Sequence, residues 1–266
     1  MISAKESIGR TLVGERGLNV SKAITYCEGM AQRRARDRLP ELIDAAIRAF
    51  QRNGFRATQM SDIALEMGVS EAALYRYVDG KEGLFGMVVR HALFLEDLPE
   101  GDLPIASPPL ASTLGQIRDQ LTAAAIPPAL GEALRHGHAE DPGAELEGIV
   151  RELFSLMTLT GPAMDMIERS AREMPELAQL FTVDLRRPLL AALTSYLEQR
   201  SERGQLRRTP HPDVTARLVI ETIAWFSRHR FCDPDGAAIA AQAAGDTVVD
   251  AVSHALVPCP AEAGPR

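Results

Sequence analysis

Tyr75, Arg76, Tyr77 and Lys81 stand close together in the stretch MSDIALEMGVSEAALYRYVDGKEGLF, Met60 to Phe85. Their hydroxyl, guanidinium and ammonium groups are hydrogen-bond donors suited to phosphate oxygens. Lys81 opens a helix, where its charge adds to the positive end of the helix dipole. Glu71, Ala72 and Ala73 follow Ser70. The two alanines leave room for close approach to base edges or thymine methyls. Such a set suits holding a polyanion rather than breaking bonds.

Little else in the chain has catalytic spacing. HGHAED brings His136, His138, Glu140 and Asp141 together, but histidines two apart do not share a helix face. The sequence has no HExxH, no GxSxG, no P-loop and no dinucleotide fingerprint. Cys27, Cys232 and Cys259 are scattered and form no CxxC pair, which points to a reducing compartment and away from sulfur-ligated zinc. The reading is therefore a non-enzyme without cofactor or metal.

The elements that must position these residues follow from periodicity. In ELIDAAIRAFQRNGF, Ile43, Ala46, Ile47 and Phe50 recur at helical spacing, and Gly54 then offers a C-terminal cap. Thr58 is placed to cap a second helix, Gln59 to Met67. Gly68-Val69 breaks the chain, and Ser70 is placed to cap a third helix, Glu71 to about Tyr77, with Leu74 as its inward anchor. After the Asp79-Gly80 turn, Lys81 begins a fourth helix carrying Leu84, Phe85, Val88, Val89 and Leu93. Helix, tight turn, helix is a helix-turn-helix arrangement. Its second helix must enter a groove about 12 Å wide, so its outward face stays small and polar. The competing reading is a generic three-helix core in which the tyrosines only cover apolar surface.

The rest of the chain reads as all-α. LPEGDLPIASPPL, Leu98 to Leu110, is the expected domain boundary. Beyond it, helical spacing marks Leu114 to Leu121 and Leu146 to Met157, with Gly161-Pro162 expected to end the latter. Ala163 to about Arg172 and a helix opened by Pro175 come next, and Pro188 is expected to kink or divide the following stretch. Asp213 to Phe231 and Ala237 to about Leu256 are the most apolar helices and the candidates for a four-helix dimer interface, with ordinary core as the alternative. The expected organisation is a flexible extension over 1–36, a DNA-binding unit over 37–97, a regulatory and dimerisation unit over 110–257, and a flexible tail over 258–266. Met30 resembles a natural chain start, and Arg33, Arg34, Arg36 and Arg38 form either a solvated tail or a DNA-tracking arm.

Composition agrees. Apolar residues make up 45% and charged residues 24%, enough for a helical core. Residues 1–95 carry 14 Lys and Arg against 11 Asp and Glu, whereas 96–266 carry 15 against 25. The mildly basic head suits a polyanion and the acidic body does not. No apolar run approaches the roughly 20 residues of a membrane span, and no secretion signal is visible, so a cytoplasmic, nucleoid-associated location is expected.

RATQMSDIALEMGVSEAALYRYVDGKEGLF closely resembles the DNA-binding domain of the TetR family of transcriptional regulators. The matching features run from about Leu39 to Leu95: AAIRAF, Gly54-Phe55, Thr58, DIA, GVS, LYRY and KEGLF. The resemblance implies that Thr58 binds a phosphate at the head of the second helix. Ser70, Glu71, Ala72 and Ala73 would face bases and backbone, Tyr75 and Tyr77 phosphate or sugar, with Tyr75 also touching a base, and Lys81 a further phosphate. Three positions depart from the family pattern: Glu71, often basic or neutral; Ala73, commonly a hydroxyl residue; and Val78, usually aromatic. Glu71 either accepts from cytosine N4 or, preferably, favours a helix N-terminus. The resemblance also implies a homodimer on palindromic double-stranded DNA and a small-molecule pocket in the C-terminal helices. Phe154, Met157, Met164, Met166, Phe181 and Trp225 are candidates to line that pocket, each with ordinary core packing as its alternative. The expected function is a repressor released by its ligand; the alternative is a ligand-independent regulator or an activator.

Overall fold

The structure, a computed structural model, describes residues 36–94, 96–98 and 103–258. The N-terminal extension, Arg33 and Arg34 of the basic arm, Cys27 and most of the C-terminal tail lie outside the described residues. Arg38 pairs with Glu41 at 2.8 Å, one turn along.

The head is built from α1 (Leu39–Ala57), α2 (Met60–Met67), α3 (Glu71–Leu74) and α4 (Lys81–Phe94). α1 buries Leu42, Ile43, Ala46, Ile47 and Phe50 and departs from helical geometry at Gly54, where φ is 79°. Phe55 then folds back, its ring 5.8 Å from Phe50 and 4.8 Å from Phe85. Burying aromatics of this size stabilises by about 1.5–3 kcal/mol each. Between α2 and α3, Gly68 takes the left-handed conformation, φ 69°, and its N–H returns to Ala64 O and Leu65 O.

The body continues through α5 (Leu110–Ala124), α6 (Pro128–Arg135), α7 (Pro142–Ala171), α8 (Pro175–Gln179), a π-helical segment (Leu180–Arg186), α9 (Arg187–Glu202), α10 (Pro212–Ser227), a 3₁₀ turn (His229–Cys232), α11 (Pro234–Ala237) and α12 (Ala241–Leu256). No strand occurs among the described residues; one isolated parallel bridge joins Val78 to Ile105. The all-helical plan is as expected, but several element boundaries differ: the helix expected over Asp213 to Phe231 ends at Ser227, and the one expected from Ala237 starts at Ala241. Gly161-Pro162 does not end its helix: α7 runs through Pro162 to Ala171. Pro162 lacks the N–H that would reach back one turn. The turn survives because Ala163, Met164, Met166 and Ile167 bury on its far side. Pro188, by contrast, falls in the first turn of α9, directly after the π-helical segment.

Two hydrophobic clusters share α7. The first joins α1, α2 and α4 to α5, to Met164, Met166 and Ile167 of α7, and to Met174, Leu177 and Leu180. The second joins α6, the first half of α7, α9, α10 and α12. The head is thus seated on the body. Gln51 Nε2 donates to Pro162 O at 2.9 Å, and Phe55 N–H donates to Ser170 Oγ at 3.0 Å.

Candidate nucleic-acid interface and ligand cavity

α3 is a single turn, shorter than the predicted Glu71 to Tyr77. The chain leaves it because Ile105 N–H donates to Tyr77 O at 2.7 Å and Asp79 N–H donates to Ile105 O at 3.0 Å. The segment 103–109 therefore runs along the turn between α3 and α4 as a strap. Leu74 is fully buried, and Ser70, Glu71, Ala72, Tyr75 and Arg76 are exposed, with Ala73 half-buried. Tyr75 keeps 45% of its surface open. These residues form one outward patch of small and donor-bearing side chains. Ser70 occupies the cap position with extended backbone, but its side chain makes no capping bond, so its hydroxyl is outside the helix.

Three expected contacts are placed otherwise. Thr58 is fully buried, and its hydroxyl donates to Gly54 O at 2.7 Å and Ala49 O at 3.2 Å. It therefore locks the end of α1 and does not face outward to a phosphate. The cap of α2 is Gln59, which exchanges hydrogen bonds with Asp62 and is exposed. The Gln-x-x-Asp spacing was the signal for it. Tyr77 is 4% exposed and belongs to the core, so its ring supports the patch from behind. Lys81 is half-buried: Nζ donates to Thr58 O at 2.8 Å and Arg56 O at 3.2 Å, and sits 4.8 Å over the Phe55 ring. An ammonium has three N–H donors. Two are spent on the end of α1, and one remains for a phosphate.

The strap depends on Gly83. Its N–H donates to Ser107 Oγ at 2.6 Å, and a Cβ there would lie 2.8 Å from Ala106 O and from Ser107 Cα. Gly83→Ala is expected to destabilise the protein by about 1–3 kcal/mol, the usual cost of overpacking. Urea unfolding measures the loss. Amide exchange at Asp79 and Ile105 should accelerate in the variant, and unchanged exchange there would mean the strap is not what holds this turn.

Behind the head lies a cavity of about 450 Å³. Leu93 and Phe94 at the far end of α4 line it, with Leu121 of α5, Ile126 just beyond that helix, Met157 and Met164 of α7, Phe181 and Leu189, and Ile220 of α10. Of the residues expected to line a pocket, Met157, Met164 and Phe181 do so. The other three lie outside this cavity. Phe154 turns to the opposite face of α7, against Gly245 of α12. Met166 is wholly buried in the first core, and Trp225 lies on the outer surface, 38% exposed, edge-on to Phe226.

One end of the cavity is polar, which the sequence reading missed. Glu168, Arg186, Glu221, Arg228 and His229 line it. Arg228 Nε donates to Asp165 at 3.1 Å, and Nη2 lies 2.8 Å from Glu168 Oε1. Arg186 pairs with Glu221, which also receives Arg217 at 2.7 Å. Burial pushes the Asp165 carboxyl up, against the pull of Arg228. Burial lowers Arg186, and the neighbouring Arg217 and Arg228 lower it further. Carboxylates at 165 and 168 inside an apolar helix, and SRHR after an apolar run, were the legible signals.

The histidine cluster has structural employment. His136 pairs with Glu132 at 2.6 Å, and Asp141 caps α7 by accepting from Ala144 N–H at 3.0 Å. Among the described residues no group of three or more His, Cys, Asp or Glu is placed to hold a metal ion, and no helix is long and apolar enough to cross a membrane.

Residues 42–88 match the family described as bacterial regulatory proteins, tetR family, and residues 145–257 match the C-terminal domain of AefR-like transcriptional repressors. Together the two matches cover more than half of the chain. Among curated proteins none matches. Solved structures with the same plan include the ketosteroid transcriptional regulator KstR2 of Mycobacterium tuberculosis, 19% identical, with 83% of this chain and 95% of that chain covered and a TM-score of 0.52. The TetR-family regulator PfmR from Thermus thermophilus is 20% identical over 80% of this chain and 97% of that one, TM-score 0.49. AibR, solved with isovaleryl coenzyme A and operator DNA, is 16% identical over 79% and 95%, TM-score 0.47.

Proposed function

Because the chain belongs to the TetR family of transcriptional regulators, we propose that it is a homodimeric repressor released from operator DNA by a small molecule. The observation that carries this reading is the path of α4. Its first residue, Lys81, is tied to the DNA-facing head, and its last turn, Leu93 and Phe94, lines the cavity. A molecule that fills the cavity better in one position of α4 than in another shifts the population of head orientations. DNA selects one orientation and the ligand another, so each weakens the other's binding. The apolar cavity favours this over a ligand-independent regulator, for which a filled body would be expected.

On the DNA side, Tyr75 and Arg76 would hold phosphate or sugar, Lys81 would spend its remaining N–H on a phosphate, and Ser70 to Ala73 would meet base edges. Thr58 and Tyr77 contribute by holding the head together. One α3 reads few bases, so a second copy is needed. The support for a dimer is a stripe on α10. Val214, Leu218 and Trp225 share one face and are 60%, 66% and 38% exposed. Exposed apolar side chains on one helix face suit an interaction surface.

Gel-shift titration on the DNA upstream of the protein's own gene, together with promoter fragments from the same genome, tests the reading. Wild type should shift at least one fragment. Replacing Tyr75 and Arg76 together by Ala should weaken binding by roughly 1–3 kcal/mol while leaving the dimer intact. A folded dimer that shifts no fragment would sink the proposal.

A further inference from the structure

The polar end of the cavity restricts what can fill it. Arg228 is 8% exposed, Arg186 lies within electrostatic reach of both Arg228 and Arg217, and Asp165, Glu168 and Glu221 pair with these arginines. Three guanidinium groups and three carboxylates are thus paired with one another before any ligand enters. A carboxylate bound at Arg228 would have to lie beside Glu168, or take Arg228 from it and leave that half-buried carboxylate unpaired. Taking a buried arginine from its partner in this way is costly. Asp165 is already disfavoured as an anion by burial, so a further negative charge is opposed from that side too. A cation fares no better, because Arg186 is already disfavoured as a cation by burial and by Arg217 and Arg228.

A hydrogen-bond donor is nevertheless left over. Nη2 of Arg228 is buried and carries two N–H groups; Glu168 Oε1, 2.8 Å away, can take one of them, which leaves the other for an acceptor. An unmet N–H of this kind is expensive in an apolar site and cheap to satisfy with an oxygen acceptor. The Thr160 hydroxyl, also on the wall, already donates to Leu156 O at 2.8 Å and does not compete for that role. Gly161 makes the arrangement possible: a Cβ there would lie 2.8 Å from Arg228 Cγ, so the arginine stem crosses α7 only where the side chain is absent.

We propose that the cavity takes an uncharged, lipophilic molecule whose polar end is a hydrogen-bond-accepting oxygen, such as a ketone, lactone or ester, and rejects the corresponding acid and amine. The inference rests on the reading of this cavity as the effector site. The apolar body of the ligand lies against Leu121, Met157, Met164, Phe181 and Leu189, and its oxygen accepts from Arg228 Nη2.

Three probes with one hydrocarbon tail test it: 2-decanone, decanoate and decylammonium, titrated calorimetrically into the full-length protein. 2-Decanone should bind roughly tenfold or more tightly than either charged probe, a difference of about 1.4 kcal/mol or more. Glu168→Gln, which removes one carboxylate beside Arg228, should narrow the gap by raising decanoate affinity about tenfold. Arg228→Met should weaken 2-decanone about tenfold, and circular dichroism shows whether that variant folds. Glu168→Gln keeps the test open if it does not. Equal or tighter binding of decanoate or decylammonium to wild type overturns the neutral-ligand proposal alone. Binding of none of the three overturns the effector-cavity reading as well.

Discussion

Leu218→Glu leaves each chain folded and removes tight DNA binding. Leu218 is 66% exposed on the outer face of α10, flanked by Val214 and Trp225, whereas Val219, Ile220 and Ile223 of the same helix are buried in the second core. The substitution therefore spares the fold and strikes only the surface stripe. In a two-fold dimer the same patch is used by both copies, so every substitution counts twice. Burying one leucine is worth about 1.5–3 kcal/mol, and the pair together about 3–6 kcal/mol, which raises the dimer dissociation constant by roughly a hundredfold or more. Burying a carboxylate in its place adds to the loss. Sedimentation should find monomers at concentrations where wild type is dimeric, with unchanged helicity, and gel shifts should fail in parallel. A variant that stays dimeric would place the dimer interface elsewhere.

Arg200→Ala has the largest expected effect on stability. Arg200 is wholly buried between α6, α7 and α9. Its Nε and Nη2 donate to Glu145 at 2.8 and 3.0 Å, and Nη2 also reaches Ala133 O and His136 O at 2.8 and 2.9 Å. One guanidinium thus ends α6 and fastens it to α7. Glu145 holds Arg200 charged, above the ordinary arginine value. Beside them Tyr196 is pushed up by burial and then by Glu145, so the phenol stays neutral. Removing the arginine leaves Glu145 unpaired and two carbonyls bare, at a cost of about 3–5 kcal/mol. Urea unfolding should show that loss. The double variant Arg200→Met with Glu145→Leu should recover most of it, because well-packed apolar residues replace a buried pair at little cost. If Arg200→Ala loses under about 1 kcal/mol, the pair is solvated in solution.

Much of the head was legible because its pattern is local. Ile43, Ala46, Ile47 and Phe50 announce α1, and Leu74 announces the one anchor of α3. What failed was the direction of particular polar groups. Tyr77 was read as outward because hydroxyls suit phosphates, and the family resemblance implied a phosphate contact for Thr58. Nothing in their spacing reveals that Ala49 and Gly54 carbonyls, or the neighbouring core, claim them first. The shortness of α3 depends on Ile105, a residue far along the chain that draws Tyr77 and Asp79 into a bridge. The continuation of α7 past Pro162 likewise depends on tertiary burial overriding local propensity.

The cavity was half legible for the same reason. Periodicity marks Phe154, Met157, Met164 and Met166 as facing inward. It does not say which part of the inward side lacks a neighbour to fill it. Met157 and Met164 meet the gap, Met166 meets the head, and Phe154 meets α12. Arg228 and Glu168, the groups that restrict the ligand, come from separate elements and converge only in the folded chain.

Footprinting of the purified protein on DNA selected from its own genome is the most direct measurement of a dimeric, sequence-reading repressor. Two protected half-sites should appear, centred about one helical turn, roughly 34–36 Å, or a multiple of it, apart. Two chains should occupy each site, and protection should require a roughly tenfold or greater protein concentration when Tyr75 and Arg76 are both replaced by Ala. A single protected half-site held by one chain, or a folded dimer that protects no sequence, would contradict that reading.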